Sequence, residues 1–367
     1  MRSSLSQDIV FDNPHVSVML EFVRAAVLDK EPEIVDIDTI DWDVLMDISL
    51  KQGVLSWVWD GICKLPESKQ PPRIVRINYG LSAQEVWDRY RRQEQALNEM
   101  IDICNQNDMR LLLLKGIVLS NYYPKPHSRS CGDIDFYLFG DYEKGNTLFS
   151  SDNVTCTNKH AEYDYKGVHV ENHLTMLDVD TAYQRRVEQY LEQSLSYTIK
   201  TVQGYYILSS IPNLVYLLMH TIRHFVFTQS LPFRNIIDLA LFVDSNKKEL
   251  LSSECKETLE RFDLLKTYDL FLFISELILN KSFKEYRLNL IRQRDKRVIL
   301  DFYMKYGFVK SDWSHMTNAL LWKRFYVLIL FSRYIPFTYY NYLFQLVKCQ
   351  LVAVRDRCKK KIAKQSC

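Results

Sequence analysis

Apolar residues recur at three- and four-residue spacing over 16–28 and again over 42–63, the period of amphipathic helices. Between them, 31–39 holds Pro32 and several acids and reads as a loop. A second break at 66–72 precedes a long helical pattern over 82–107, where Ser82 and Glu85 have the spacing of a capping box. The pattern changes at Arg110. Residues 111–114 form a short continuous apolar run ending in Lys115 and Gly116, as expected of a buried strand meeting a turn, and 117–123 reads as a short helix. After a loop with Pro124, Pro126 and Gly132, the aromatic and β-branched stretch 133–139 predicts a second strand. Two more strands, 161–165 and 168–174, are joined across Lys166 and Gly167 like a hairpin. From 211 onward the helical period returns through 214–227, 236–244 and 256–279 toward the C-terminus.

The expected fold class is therefore α+β, a small mixed sheet flanked by helices. An N-terminal helical region (1–80) is followed by an α/β core with its leading long helix (81–210) and a C-terminal helical domain (211–367). No repeat or low-complexity segment interrupts this order.

Composition narrows the functional classes. Apolar residues are 47% and charged residues 25% of the 367, as in ordinary globular proteins, and only 10 Gly and 10 Pro leave room for long helices. A net charge of +2, from 47 basic and 45 acidic residues, offers no global field for a nucleic-acid backbone, so a nucleic-acid partner is not expected, and no obligate protein partner is implied. The eight cysteines contain no CxxC pair and read as reduced thiols in a cytoplasmic protein. Residues 1–14 lack the apolar core of a secretory signal. The apolar stretch 325–347 is interrupted by Arg333 and Pro336 and suits a buried or interfacial helix pair better than a transmembrane span. The basic run 359–364 reads as a solvated helix end.

Chemistry concentrates at Asp133 and Asp135. At i and i+2 of a strand, both side chains leave the same face with Cα atoms about 6 to 7 Å apart. Two carboxylates so placed repel, and a divalent cation turns that repulsion into ligation. A DxD tripeptide alone is also the composition of a harmless acidic strand end. The context adds Lys115 and Gly116 at the tip of the preceding strand, with main-chain amides of the short helix placed to cradle a triphosphate. It also adds the face of 168–174 that carries His169, Glu171 and His173. His220 and His224 share a helix face with Arg223 one position off; either they dock the helical domain or they contact a nucleotide, and Thr221 excludes the zinc-protease pattern. Arg234 and Asp238 have the spacing of a surface ion pair. Arg129 is either a phosphate partner or a surface-loop arginine, the aromatic run 334–344 reads as core, and Cys131 reads as a bystander.

The run LLLLKGIVLSNYYPKPHSRSCGDIDFYL, residues 111–138, resembles the signature of an uncharacterised bacterial nucleotidyltransferase family within the polymerase-beta-like superfamily. There "LKG", a Tyr-Pro loop, an Arg and "GDID" follow in that order, matched here by Lys115, Gly116, Tyr123, Pro124, Arg129, Gly132, Asp133 and Asp135. Residues 41–62, 170–174 and 218–243 are similar to other stretches of the same family, so the likeness covers roughly 15–245. The resemblance implies a nucleotidyltransferase core and transfer of an NMP group from an NTP to an unidentified hydroxyl on a small molecule, sugar or protein. It implies a catalytic set of Asp133, Asp135 and Glu171 holding Mg²⁺ (or Mn²⁺), with Glu171 as ligand or base, and Lys115, Gly116, Arg129, His220 and Arg223 around the nucleotide. The wider superfamily has Gly-Ser where this chain has Lys115 and Gly116, which leaves a catalytically inactive binding or scaffold protein as the alternative.

Overall fold

The computed structural model describes residues 14–33, 37–150, 154–157, 159–228, 231–296, 298 and 330–336. The expectations for 1–13, 325–329 and 337–367 therefore lie outside the described residues. Three helices come first: α1 (Pro14–Val27), α2 (Trp42–Gln52) and α3 (Leu55–Ile62). The helical pattern over 42–63 is one stretch in sequence but two helices in space. Gly53 adopts the left-handed conformation and caps α2, and Asp41 accepts from the amides of Asp43 and Val44 at its other end. Against α1, α3 presents Gly61, where an added Cβ would lie 2.7 Å from the Phe22 Cα. The two backbones meet too closely there for any side chain.

Helix α4 (Arg73–Gln106) starts nine residues before the expected Ser82. Pro72 sets its start, and Ser82 with Glu85 lies inside a helix already under way. The first part carries the exposed Ile74, Ile77 and Leu81, so no buried stripe marks it. At 34 residues it is about 50 Å long. Its Tyr79 packs into one core, and Ala96, Leu97, Met100, Ile101 and Cys104 pack into a second.

The middle of the chain supplies β1 (Leu112–Leu113), α5 (Ile117–Ser120), β2 (Ile134–Tyr137), α6 (Tyr142–Phe149), β3 (Thr155–Cys156), β4 (His160–Tyr165), β5 (Val168–His173), α7 (Ala182–Ser194), β6 (Ile199–Lys200) and β7 (Tyr206–Ile207). The strands form one mixed sheet in the order β3-β4-β5-β2-β1-β7-β6, with β2–β5 and β1–β7 parallel and the other pairs antiparallel. The α+β class and the small mixed sheet between helical regions are as the sequence indicates. Strands β3, β6 and β7, two residues each, carry no such signal.

Residues 111–114 are buried on both sides of the sheet. Leu111 and Leu113 belong to the core shared with α4, Leu112 and Leu114 to the core of the helical body, which is why an alternating strand pattern is replaced by a continuous apolar run. β4 and β5 turn through Lys166 and Gly167, both at positive φ, as their hairpin spacing implies.

After the sheet come α8 (Ser210–Thr228), α9 (Phe233–Ser245), α10 (Lys247–Leu250), α11 (Ser253–Arg261) and α12 (Leu265–Leu279). The pattern over 256–279 is split between α11 and α12, with Asp263 at positive φ between them. These helices share one apolar core with α1–α3. Arg24 of α1 donates to the Leu277 and Ile278 carbonyls, at 2.8 and 2.7 Å, near the end of α12. A cation there also faces the negative end of the helix dipole.

Candidate metal centre

β1 ends at the Lys-Gly pair. Gly116 takes φ 66° and ψ −113°, a region closed to other residues, and a Cβ on it would lie 3.2 Å from the Asp133 carbonyl oxygen. That turn brings β1 tightly against the start of β2, and Leu114 N donates to the Asp135 carbonyl at 3.1 Å. Lys115 reaches over β2, with its Nζ 3.0 Å from Asp135 Oδ1 and 3.9 Å from Asp133 Oδ2. The following helix α5 is a single turn of four residues, too short to present the N-terminal amide cradle expected there.

Ile134 and Phe136 face the α4 core, so the intervening Asp135 faces the other side of the sheet, together with Asp133 at i−2. Asp135 is fully buried and its Oδ2 has no hydrogen-bond partner. The third carboxylate arrives by register, because Glu171 is the Cα partner of Asp135 on the parallel strand β5. One oxygen from each of Asp133, Asp135 and Glu171 lies within 4.8 Å of the others. Three carboxylates at this separation, one of them buried with an oxygen left unsatisfied, fit a divalent ion of the oxygen-preferring kind.

Histidines complete the polar face. His173 Nε2 lies 3.0 Å from Asp135 Oδ1 and 3.3 Å from Glu171 Oε2. His160 of β4 has Nδ1 3.8 Å from the same Glu171 oxygen and Nε2 2.6 Å from Glu162 Oε1. Burial alone would raise the Glu171 carboxyl, but the His173 hydrogen bond and Lys115 outweigh it and hold it down at about 2. Burial likewise opposes the charge on Lys115, yet Asp135, Asp133 and Glu171 prevail and raise its pKa. The same balance, burial against Asp135 and Glu171, raises that of His173.

Of the expected nucleotide contacts, His220 is half-buried on α8, the helix that also carries Tyr216. Its pKa is depressed by burial and then by Lys115 and His224. Arg223 is paired with Asp178. Lys159, which the sequence reading passed over, is nearly buried beside this pair, and burial lowers its pKa against the pull of Asp178.

Arg129 is neither on the surface nor among the carboxylates. Its Nε and Nη2 donate to Asp238 Oδ1 and Oδ2, both at 2.7 Å, and Nη1 lies 2.9 Å from Cys131 Sγ. Tyr123 OH donates to the same Asp238 at 2.7 Å. Asp238 is thus committed to Arg129, while Arg234 donates to the Ser130 carbonyl at 2.8 Å, so the surface Arg234–Asp238 pair expected from spacing is replaced by two longer-range contacts. Two members of the sequence signature, Tyr123 and Arg129, therefore tie the loop before β2 to α9, with Cys131 beside the guanidinium.

The described cysteines 63, 104, 131, 156 and 255 are free thiols, and no helix of the described residues is long and apolar enough to cross a membrane. Neither a curated protein nor a solved structure matches the chain at a significant level. A family model, by contrast, covers residues 38–280, from α2 through the sheet and the carboxylate cluster to the end of α12. The chain belongs to the uncharacterised nucleotidyltransferase family.

Proposed function

We propose that this chain transfers an NMP group from an NTP to a hydroxyl acceptor, with a divalent ion held by Asp133, Asp135 and Glu171. The observation that carries this reading is the convergence of three carboxylates, one of them the fully buried Asp135, whose Oδ2 has no hydrogen-bond partner. Mg²⁺ or Mn²⁺ bound there supplies charge neutralisation and orients the attacking and leaving oxygens. The acceptor oxygen bonds to the α-phosphorus, the bond to pyrophosphate breaks, and the hydroxyl proton passes to solvent. Glu171, held ionised down to about pH 2, is a weak base and serves as ligand. Lys115 balances the carboxylates before nucleotide arrives and turns to the phosphates afterwards. Gly116 keeps the turn close enough for Lys115 to reach both. Lys159, Arg223 and His220 form the wall on the α8 side, the position for the outer phosphates. Arg129 supports that site at one remove, by fixing the loop that leads into Asp133.

One observation favours a second reading. Lys115 Nζ already sits 3.0 Å from Asp135, an internal counter-ion of the sort a binding protein without catalysis would keep. A thermal-shift screen of NTPs with and without Mg²⁺ separates the two. Stabilisation that requires both, and that is lost in Asp133→Ala and Asp135→Ala, supports the transferase; no response to any NTP–Mg²⁺ pair overturns it.

A further inference from the structure

The two histidines beside the carboxylates are arranged as ligands. A neutral imidazole carries one N–H and one lone pair, and the hydrogen bond at one nitrogen decides which is which. His160 Nε2 lies 2.6 Å from Glu162 Oε1, an acceptor that takes the proton on that nitrogen. His173 Nδ1 lies 3.3 Å from the Thr175 carbonyl, again an acceptor. The lone pair is thereby left on His160 Nδ1, while His173 Nε2, also 3.0 Å from Asp135 Oδ1, carries an N–H toward the carboxylates. Both nitrogens point at Glu171 Oε2, at 3.8 and 3.3 Å. His160 Nδ1 is buried without a hydrogen-bond partner. The His160 lone pair turned toward a carboxylate oxygen repels it unless a cation lies between them, and an ion placed there would take over the position of the His173 Nε2 proton.

The spacing fits that cation. Ligand bonds of about 2.1 Å give atom-to-atom edges of about 3.4 Å in a tetrahedron, which the His173 separation matches and the His160 separation exceeds by about 0.4 Å. The three ligand atoms all lie within 4.8 Å of one another. Glu162 and the Thr175 carbonyl stand as the outer partners that metal-bound histidines use to fix their orientation.

We propose that His160, Glu171 and His173 form a second divalent-ion site, sharing Glu171 with the carboxylate cluster and selecting a late first-row transition ion such as Zn²⁺. Two imidazoles and one carboxylate suit such ions, whereas Mg²⁺ prefers an all-oxygen shell. An ion in this site pins Glu171 from the β4 side and so pre-sets the carboxylate that the Asp133–Asp135 pair needs. The assignment rests on the histidine geometry and holds whether or not the chain transfers nucleotides.

The test uses the full chain, stripped of metal by a chelator, with Co²⁺ as a visible probe titrated in the presence of millimolar Mg²⁺. One Co²⁺ per chain is expected, with a d–d band in the visible, displaced by Zn²⁺ and not by Mg²⁺. His160→Ala is expected to weaken it at least about 10-fold, and Glu162→Gln, which leaves every ligand in place, by about 10-fold. Asp133→Ala is expected to keep the Co²⁺ band while losing any Mg²⁺-dependent nucleotide response, so the two sites fail separately. The proposal is overturned by failure to retain Co²⁺ against Mg²⁺ or by a thiolate charge-transfer band placing the ion on cysteine. Affinity unchanged in both His160→Ala and Glu162→Gln also overturns it. If His160→Ala loses its far-UV circular dichroism, Glu162→Gln alone decides.

Discussion

Asp135 and Glu171 face each other as Cα partners on the parallel strands β2 and β5, so the third carboxylate of the cluster is delivered by strand register. A slip of one residue would turn Glu171 into the α4 core and bring Val170 or Asn172 to the cluster. Register is held by Val168 and Val170 on the opposite face, buried against α4 with Ile134 and Phe136. The apolar side of the sheet thus sets the geometry of its polar side.

Lys115 holds three carboxylates together before any ion arrives, and replacing it removes the counter-charge beside the buried Asp135. Lys115→Met is expected to lower the stability of the metal-free chain by about 3 kcal/mol, the scale for breaking a buried ion pair. Mg²⁺ should then restore more stability to the variant than it adds to the unmodified chain. Urea melts with and without Mg²⁺ measure both quantities; an unchanged metal-free midpoint would show that Lys115 is not the internal counter-ion.

Much of this arrangement is legible in the chain itself. The DxD spacing, the Lys-Gly turn and the face shared by His169, Glu171 and His173 can be read without coordinates, because strand alternation fixes which side chains travel together. His160 cannot be read this way. It lies on an antiparallel neighbour, and only the pairing of His160 with His173 across β4 and β5 brings the two rings together. Arg129 shows the opposite limit. A loop arginine next to an acidic motif looks like an anion partner, and nothing local reveals that Asp238, 109 residues on, takes up its guanidinium. The early start of α4 escapes notice for a simpler reason: with Ile74, Ile77 and Leu81 exposed, its first turns bury no stripe.

The Arg129–Asp238 pair should register as stability rather than as nucleotide affinity. Asp238→Ala strands a buried guanidinium and the Tyr123 hydroxyl, and a loss of about 3–5 kcal/mol is expected. Arg129→Lys keeps the charge but loses the two-pronged contact, and should cost less. If chemical denaturation finds both variants as stable as the parent, the pair does not fasten the loop to α9.

Gly61 offers a test of the close crossing of α1 and α3. Alanine in place of a helical glycine gains at most about 1 kcal/mol from helix propensity, and less in the last turn, where Gly61 lies. Here the new methyl group would press on the Phe22 backbone, which cannot rotate away as a side chain would. Gly61→Ala is therefore expected to lose about 1–3 kcal/mol net. A thermal midpoint equal to or above the parent's would mean that the helices can separate without penalty.

The pH dependence of stability follows from α8. Burial first, then Lys115 and Arg223, lowers His224 from its ordinary 6.5 to about 4, and burial with Lys115 and His224 depresses His220 well below its ordinary value. The folded chain therefore refuses protons that the unfolded chain accepts as pH drops below about 6.5. The sign is fixed: above that value the two histidines cost nothing, and between about 6.5 and about 4 each draws the equilibrium toward the unfolded state. The limiting slope is about 1.4 kcal/mol per pH unit for each group. Between about pH 6.5 and 5.5 Glu188, pushed by burial up to about 7, and His173, raised against burial by Asp135 and Glu171, hold protons more tightly in the folded chain and oppose this slope, so the two α8 histidines are read as the difference between variant and parent. Double replacement, His220→Gln with His224→Gln, should flatten the curve in that window, as read from urea midpoints at half-unit steps. Parallel curves for variant and parent would mean that neither histidine is held neutral against the surrounding cations.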